Sequence, residues 1–174
     1  MPTPDRTSLA EIVDAGRAIL EESGPAGLTM QAVAIRCGVR APSLYKRIRD
    51  RDALLAAVAE AVVNDLADRL ADTENSLSAL AETYRAFAHE NAEGFRLMFT
   101  ASAPLDALDH AATPVLAASA AVVGDVDALH AARLFTAWAT GFVHMELAGA
   151  FRLGGDVEQA FTYGLRKILD GLTP

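Results

Sequence analysis

Apolar residues recur three and four positions apart through almost all of this 174-residue chain, and no stretch alternates apolar and polar residues with period two. The first pattern lines one face of a helix, and the second marks a half-buried strand. Leu9, Ile12, Val13, Ala15, Ala18 and Ile19 form the first such face. Alanine is abundant and aromatics are 6% of the residues. That balance favours helices, because Ala and Leu are strong helix formers and strands want β-branched and aromatic residues. Apolar residues make up 52% of the chain, enough to bury a core. The expected fold class is all-α.

The breaks between helical stretches carry turn chemistry. Ser23-Gly24-Pro25 stops a first helix over 8–22. Thr29 can cap a short helix over 30–36, and Gly38 sits where that helix ends in a left-handed turn. A third helix starts near Ala41. Pro42 is acceptable there because a first-turn residue has no use for its N–H. Leu44 and Ile48 face inward and the helix should end near Arg49. Asp50 can cap a long fourth helix reaching Leu70. Further helices are expected at about 76–90, 92–100, 106–123, 126–151 and 157–172, with Gly124-Asp125 and Leu153-Gly154-Gly155-Asp156 among the breaks. Three short helices, the second and third joined by a tight glycine turn, are the layout of a helix-turn-helix, whose second helix enters the major groove. The expected domains are 1–52, a three-helix DNA-binding domain, and 53–174, a helical regulatory and dimerisation domain.

Charge is divided in the same way. The chain carries a net −8, yet residues 1–55 hold eight Lys/Arg against seven Asp/Glu. Six basic residues (Arg36, Arg40, Lys46, Arg47, Arg49, Arg51) stand between positions 36 and 51, with Asp50 alone against them. A basic island in an acidic chain suits focused phosphate binding. A solvated basic helix face is the alternative from charge alone. Arg40, Ala41, Ser43, Lys46 and Arg47 are left pointing outward, where Arg and Lys can donate to guanine edges or phosphates.

Leu28-Thr29-Met30-Gln31-Ala32-Val33-Ala34, Cys37-Gly38-Val39-Arg40-Ala41-Pro42-Ser43-Leu44-Tyr45-Lys46-Arg47-Ile48 and Asp50-Arg51-Asp52-Ala53-Leu54-Leu55 together resemble the signature of the TetR family of bacterial repressors. The resemblance implies that Thr29 and Tyr45 hold phosphates, that Arg51 grips the DNA backbone, and that Gln31, Arg40, Ala41, Ser43 and Arg47 can reach bases. Arg47 replaces a common histidine of the family and Ile48 a common aromatic. Packing is the alternative role for Tyr45, and plain solvation for Gln31.

Trp138-Ala139-Thr140-Gly141, with Phe142 to Phe151 after it, resembles the Trp-His-Gly element of a narrower subset, with Thr140 in place of the histidine. The resemblance implies homodimerisation through the last two long helices, a small-molecule effector of largely apolar character, and double-stranded operator DNA as partner. Gly141, Ala148 and Gly149 would allow close approach at the dimer interface, with Phe135, Met145, Phe161 and Leu165 supplying apolar surface. Phe87, Phe95, Met98, Phe99, Trp138 and Phe142 are candidate effector contacts, Trp138 first among them, although core packing is the better reading of any single one. A ligand-responsive repressor is expected. An activator of the same fold and a helical interaction protein that binds no DNA are the alternatives.

Other classes lack their signatures. His89 and Glu93 stand four apart, a metal-ligand spacing, but no third ligand accompanies them. His110, His130 and His144 fall in separate helices without a nucleophile motif. Cys37 is the one cysteine, and no glycine-rich phosphate loop exists. Neither catalysis nor a metal or other cofactor is expected. Met1 to Ser8 has no apolar core of a signal peptide, and no uncharged run reaches the ~18 residues of a membrane span. The expected location is the cytoplasm, with no membrane partner.

Overall fold

The computed structural model describes residues 7–100 and 104–173. Among them are nine helices and no strand: α1 (Leu9–Gly27), α2 (Met30–Arg36), α3 (Ala41–Leu44), α4 (Arg51–Ala71), α5 (Leu77–Glu90), α6 (Ala92–Leu97), α7 (Leu105–Val123), α8 (Ala128–Leu147) and α9 (Val157–Leu172).

Local side chains set most of the helix starts. The Ser8 hydroxyl accepts from the Glu11 N–H at 3.1 Å, while the Glu11 carboxylate accepts from the Ser8 N–H at 2.7 Å. Two otherwise orphaned donors are thereby satisfied. Thr29 Oγ1 accepts from the Ala32 N–H at 3.1 Å, Asp50 Oδ1 from Ala53 at 2.8 Å and Asp156 Oδ1 from Glu158 at 2.8 Å.

Helix ends depart from expectation at α1, α3 and α8, and α6 stops at Leu97 short of Thr100, where Phe99 and Thr100 donate to the Arg96 and Leu97 carbonyls in a turn (3.3 and 3.0 Å). The stop at Ser23-Gly24-Pro25 is a kink: Gly24 leaves the helix (φ 65°, ψ −178°) and the chain resumes helical form to Gly27. The third helix is one turn long rather than reaching Arg49. The Leu44 carbonyl accepts from both Arg47 N–H (2.8 Å) and Ile48 N–H (2.9 Å), so the chain tightens into a turn over 45–47. So short a helix has too few internal bonds to propagate. The eighth helix ends at Leu147 instead of running to Phe151. Gly149 adopts φ 60°, and the N–H groups of Gly149 and Ala150 return to the carbonyls of Glu146 and Met145, both at 2.9 Å. That six-to-one closure satisfies the last carbonyls and turns the chain out of the helix.

The chain divides into two compact units. The first comprises Met1–Asn64 with Asn91–Leu105. Here α1 packs on α2 and α6, and α2 on α3. Ile12, Leu20, Leu28, Val33, Leu44, Leu54 and Val58 are fully buried in it. Each contributes about 1.5–3 kcal/mol relative to exposure. Gly16 lets α4 approach α1, since a Cβ there would lie 2.9 Å from Val58 Cγ2. The second unit comprises Asp65–Glu90 with Asp106–Pro174, in which α5 packs on α8 and α9, and α8 on α9. No single helix among the described residues is long and apolar enough to cross a membrane.

Candidate nucleic-acid interface

The segment from Thr29 to Ile48 forms two short helices around one glycine. Gly38, at φ 67°, donates to the Ile35 carbonyl at 3.1 Å, and Val39 donates to Ala34 at 2.9 Å. This is the same closure as at Gly149, and it fixes the direction in which the chain enters α3. Leu44 and Ile48 are buried and hold the turn on the unit. Thr29, Gln31, Arg40, Ser43, Tyr45, Lys46 and Arg47 are exposed, and Ala41 is half-buried. Tyr45 is 54% exposed, so it is not a packing residue. Thr29 accepts a cap bond through its oxygen, which leaves its O–H proton able to donate outward.

The basic island is smaller than its residue count. The Arg36 guanidinium is paired in parallel with both oxygens of Glu22, each at 2.8 Å, and holds that carboxyl below its ordinary value. Arg49 is paired with Asp50 at 2.6 Å. Arg51 donates from Nε to the Leu28 carbonyl at 2.8 Å and from Nη2 to the Pro25 carbonyl. Arg40 and Lys46 are exposed cations of the turn. Sequence spacing cannot reveal such pairings, because the partners of Arg36 and Arg51 lie 14 to 26 positions away.

The candidate effector contacts fall into two groups. Phe95, Met98 and Phe99 lie at α6 or just beyond it, in the first unit. Phe95 is buried and meets Phe99 edge-on, with ring centroids 5.3 Å apart. The Glu21 carboxylate seats this helix by accepting from the N–H groups of Glu93 (3.1 Å) and Gly94 (2.7 Å). Phe87, Trp138 and Phe142 lie in the second unit. Trp138 stacks on Phe161 at 5.4 Å and lies against Phe135 and Phe142, so these residues make an aromatic cluster between α8 and α9, with Phe135 and Phe161 buried at its core and Trp138 and Phe142 half-buried. Tyr84 and Thr140 share a hydrogen bond of 2.9 Å, and burial pushes the Tyr84 phenol up to about 12. Thr140 thus has a partner on α5.

Beside that core lies a groove of about 740 Å³ between α5 and α9, lined by none of the six candidate aromatic and methionine residues. Its charged floor escaped the sequence reading. Arg85 grips both oxygens of Glu146 (2.9 and 2.6 Å) and reaches Glu158 at 2.5 Å. The Arg85 guanidinium, and then His89 at 3.1 Å, hold the Glu146 carboxyl below its usual range. The expected His89–Glu93 spacing is not helical, because the chain breaks at Asn91 (φ −130°, ψ 54°). His89 closes α5, and Glu93 is bonded to Arg96 within α6.

The candidate interface residues also separate. Phe135, Phe161 and Leu165 are buried inside the α8–α9 pair. Gly141, Met145 and Ala148 are exposed, and Gly149 terminates the helix. Leu134 (51% exposed) extends their stripe, and Tyr163 (57%) is exposed on α9. Neither stood among the expected interface residues, although Leu134 precedes Gly141 by two helical turns.

A glycine-turned helix pair presenting polar and basic side chains, joined to a larger helical unit, defines a helix-turn-helix transcriptional regulator. Residues 12–58 match the family model described as bacterial regulatory proteins, tetR family, and residues 77–168 match the tetracyclin repressor-like C-terminal domain. The chain is 30% identical to the class A tetracycline repressor from transposon 1721 of Escherichia coli, over 86% of this chain and 73% of that one. It is 26% identical to the regulator YobS of Bacillus subtilis, over 92% and 90%. A crystal structure of a possible TetR family transcriptional regulator from Streptomyces coelicolor superposes with a TM-score of 0.73 at 26% identity, covering 94% of this chain and 97% of that one. The chain belongs to the TetR family of transcriptional regulators. Its relatives in that family are regulators, and it is not an enzyme.

Proposed function

We propose that this regulator is a homodimeric repressor that holds a palindromic operator and releases it when a small, largely apolar effector binds. One observation carries the DNA half of the reading. Around Gly38, every candidate contact from Thr29 to Arg47 is exposed except Ala41, while Leu44 and Ile48 anchor the turn from beneath. Thr29 and Tyr45 hold phosphates with neutral hydroxyl donors. Gln31, Arg40, Ala41, Ser43 and Arg47 meet base edges, and Lys46 serves either.

The dimer half draws support from Leu134, Gly141 and Met145 on α8 and Ala148 at its C-terminal cap, which repeat at helical spacing and are exposed. Small residues in that stripe permit close helix approach, and an isologous contact would pair it with itself. Effector response rests on likeness to relatives named tetracycline repressors. Phe87, Trp138 and Phe142, all within the second unit, are the proposed contacts. Trp138 and Thr140 fit a variant of the Trp-His-Gly element, with Tyr84 answering the threonine.

The roles separate by salt and sequence. Lys46→Ala should lower the slope of log K against log salt by about one if it meets phosphate, or relax preference at one base pair if it reads a base. Tyr45→Phe should weaken binding to all duplexes alike, and Ser43→Ala should change preference. Equal loss for all three on every duplex would refute this division. The single tryptophan, Trp138, reports effector binding through its fluorescence.

A further inference from the structure

Arg51 opens α4, where the family resemblance places a grip on the DNA backbone, but its guanidinium is bonded elsewhere. Nε donates to the Leu28 carbonyl at 2.8 Å, and Nη2 donates to the Pro25 carbonyl. These carbonyls belong to the stretch between the Gly24 kink and the Thr29 cap, where the last peptide groups of α1 run out of helical partners. A planar guanidinium bridges two such acceptors in a way that one ammonium point charge does not. Leu28 is fully buried, and the next residue is Thr29. Thr29 in turn caps α2 by accepting from Ala32. Arg51 therefore fixes the backbone from which Thr29 is presented.

We propose that Arg51 is a positioning residue: it clamps residues 25–28 onto the start of α4 and so places Thr29 against the DNA, rather than gripping a phosphate itself. The proposal rests on the DNA-binding reading above. Gripping a phosphate through the Nε–Nη2 edge would mean releasing both carbonyls, and only the Nη1 protons and the second Nη2 proton are left to donate elsewhere. A released 25–28 segment, already kinked at Gly24, would let the α2 terminus drift.

The test uses the full chain and a duplex recovered by selection from random DNA. Arg51→Ala and Arg51→Lys should each weaken binding by roughly tenfold, the loss expected for charge-assisted hydrogen bonds. The slope of log K against log salt should stay at the wild-type value in both. Thr29→Gly removes the hydroxyl while glycine still serves as a cap residue at little cost to the helix. In that background Arg51→Ala should cost much less than in the wild type. Wild-type affinity for Arg51→Lys, with a slope shallower by about one for Arg51→Ala, would mean direct phosphate contact and overturn the proposal. Losses that add independently of Thr29 would also overturn it, as would wild-type binding by Arg51→Ala. A wild-type chain that prefers no duplex would instead remove the DNA-binding reading on which the proposal stands.

Discussion

Replacing Arg85 with methionine keeps most of the side-chain stem and removes the cation at the centre of the second unit. Glu146, whose side chain is 13% exposed, would then keep only His89. Removing one partner of a buried ion pair costs about 3–5 kcal/mol, because the remaining charge is left uncompensated. Glu158 is 68% exposed, so its share of the loss is small. Arg85 itself is 14% exposed rather than wholly buried, so the expected cost falls at the low end, about 3 kcal/mol. Urea unfolding at pH 7.5 and fixed protomer concentration reads this as a shifted midpoint with an unchanged slope.

The pH dependence gives the sign. In the wild type, Arg85 and His89 hold the Glu146 carboxyl low. Its stabilising contribution is therefore present above the unfolded carboxylate value and is lost as pH falls through the folded one. The variant lacks that contribution, so the gap between the two proteins should be full at neutral pH and close as pH falls through the carboxylate range. Pairing Arg85→Met with Glu146→Gln removes the orphaned charge and should recover most of the loss at neutral pH. A cost under about 1 kcal/mol, the range of an exposed surface pair, would refute the reasoning, as would a gap that widens toward acid.

Three further substitutions probe separate contacts. Gly164→Ala places a Cβ 2.9 Å from Trp138 Cζ2 and 3.2 Å from Nε1; about 1–3 kcal/mol should be lost to overpacking, with a shifted tryptophan emission. Gly38→Ala meets no steric neighbour but must hold φ 67°, so about 1–2 kcal/mol of strain should appear as a lower melting temperature and weaker DNA binding. Tyr84 has its phenol raised to about 12 by burial. The wild type should therefore lose stability as pH climbs from the ordinary tyrosine value of about 10 toward 12, and Tyr84→Phe should lose less over that window in thermal melts.

Much of the helical order was legible because its determinants are local. Ser8 with Glu11, Thr29, Asp50 and Asp156 are capping residues whose partners lie within three positions, and Gly38 marks a helix end by its own backbone freedom. The misread ends have local causes of a subtler kind. Gly149 looked like a small packing residue within a longer helix, and nothing in 41–49 forbids more helix than the single turn that forms. Long-range pairing was not legible. Arg36, Arg49 and Arg51 entered the basic island as equals of Arg40 and Lys46, whereas the fold uses two of them on Glu22 and on the carbonyls of Pro25 and Leu28. Periodicity likewise cannot distinguish a core aromatic from a pocket one. Trp138 and Phe142 proved to be packed on Phe161, and Phe95 belongs with α1 because α6 docks there.

Selection of bound sequences from random duplex DNA by the full chain tests the reading head and its pairing together. The expected product is a two-fold symmetric site whose halves lie about 34–36 Å apart, or a little more, on one face of the duplex. Recovery of no preferred sequence, or of a single site without symmetry, would contradict a dimer that reads the major groove through the turn at Gly38.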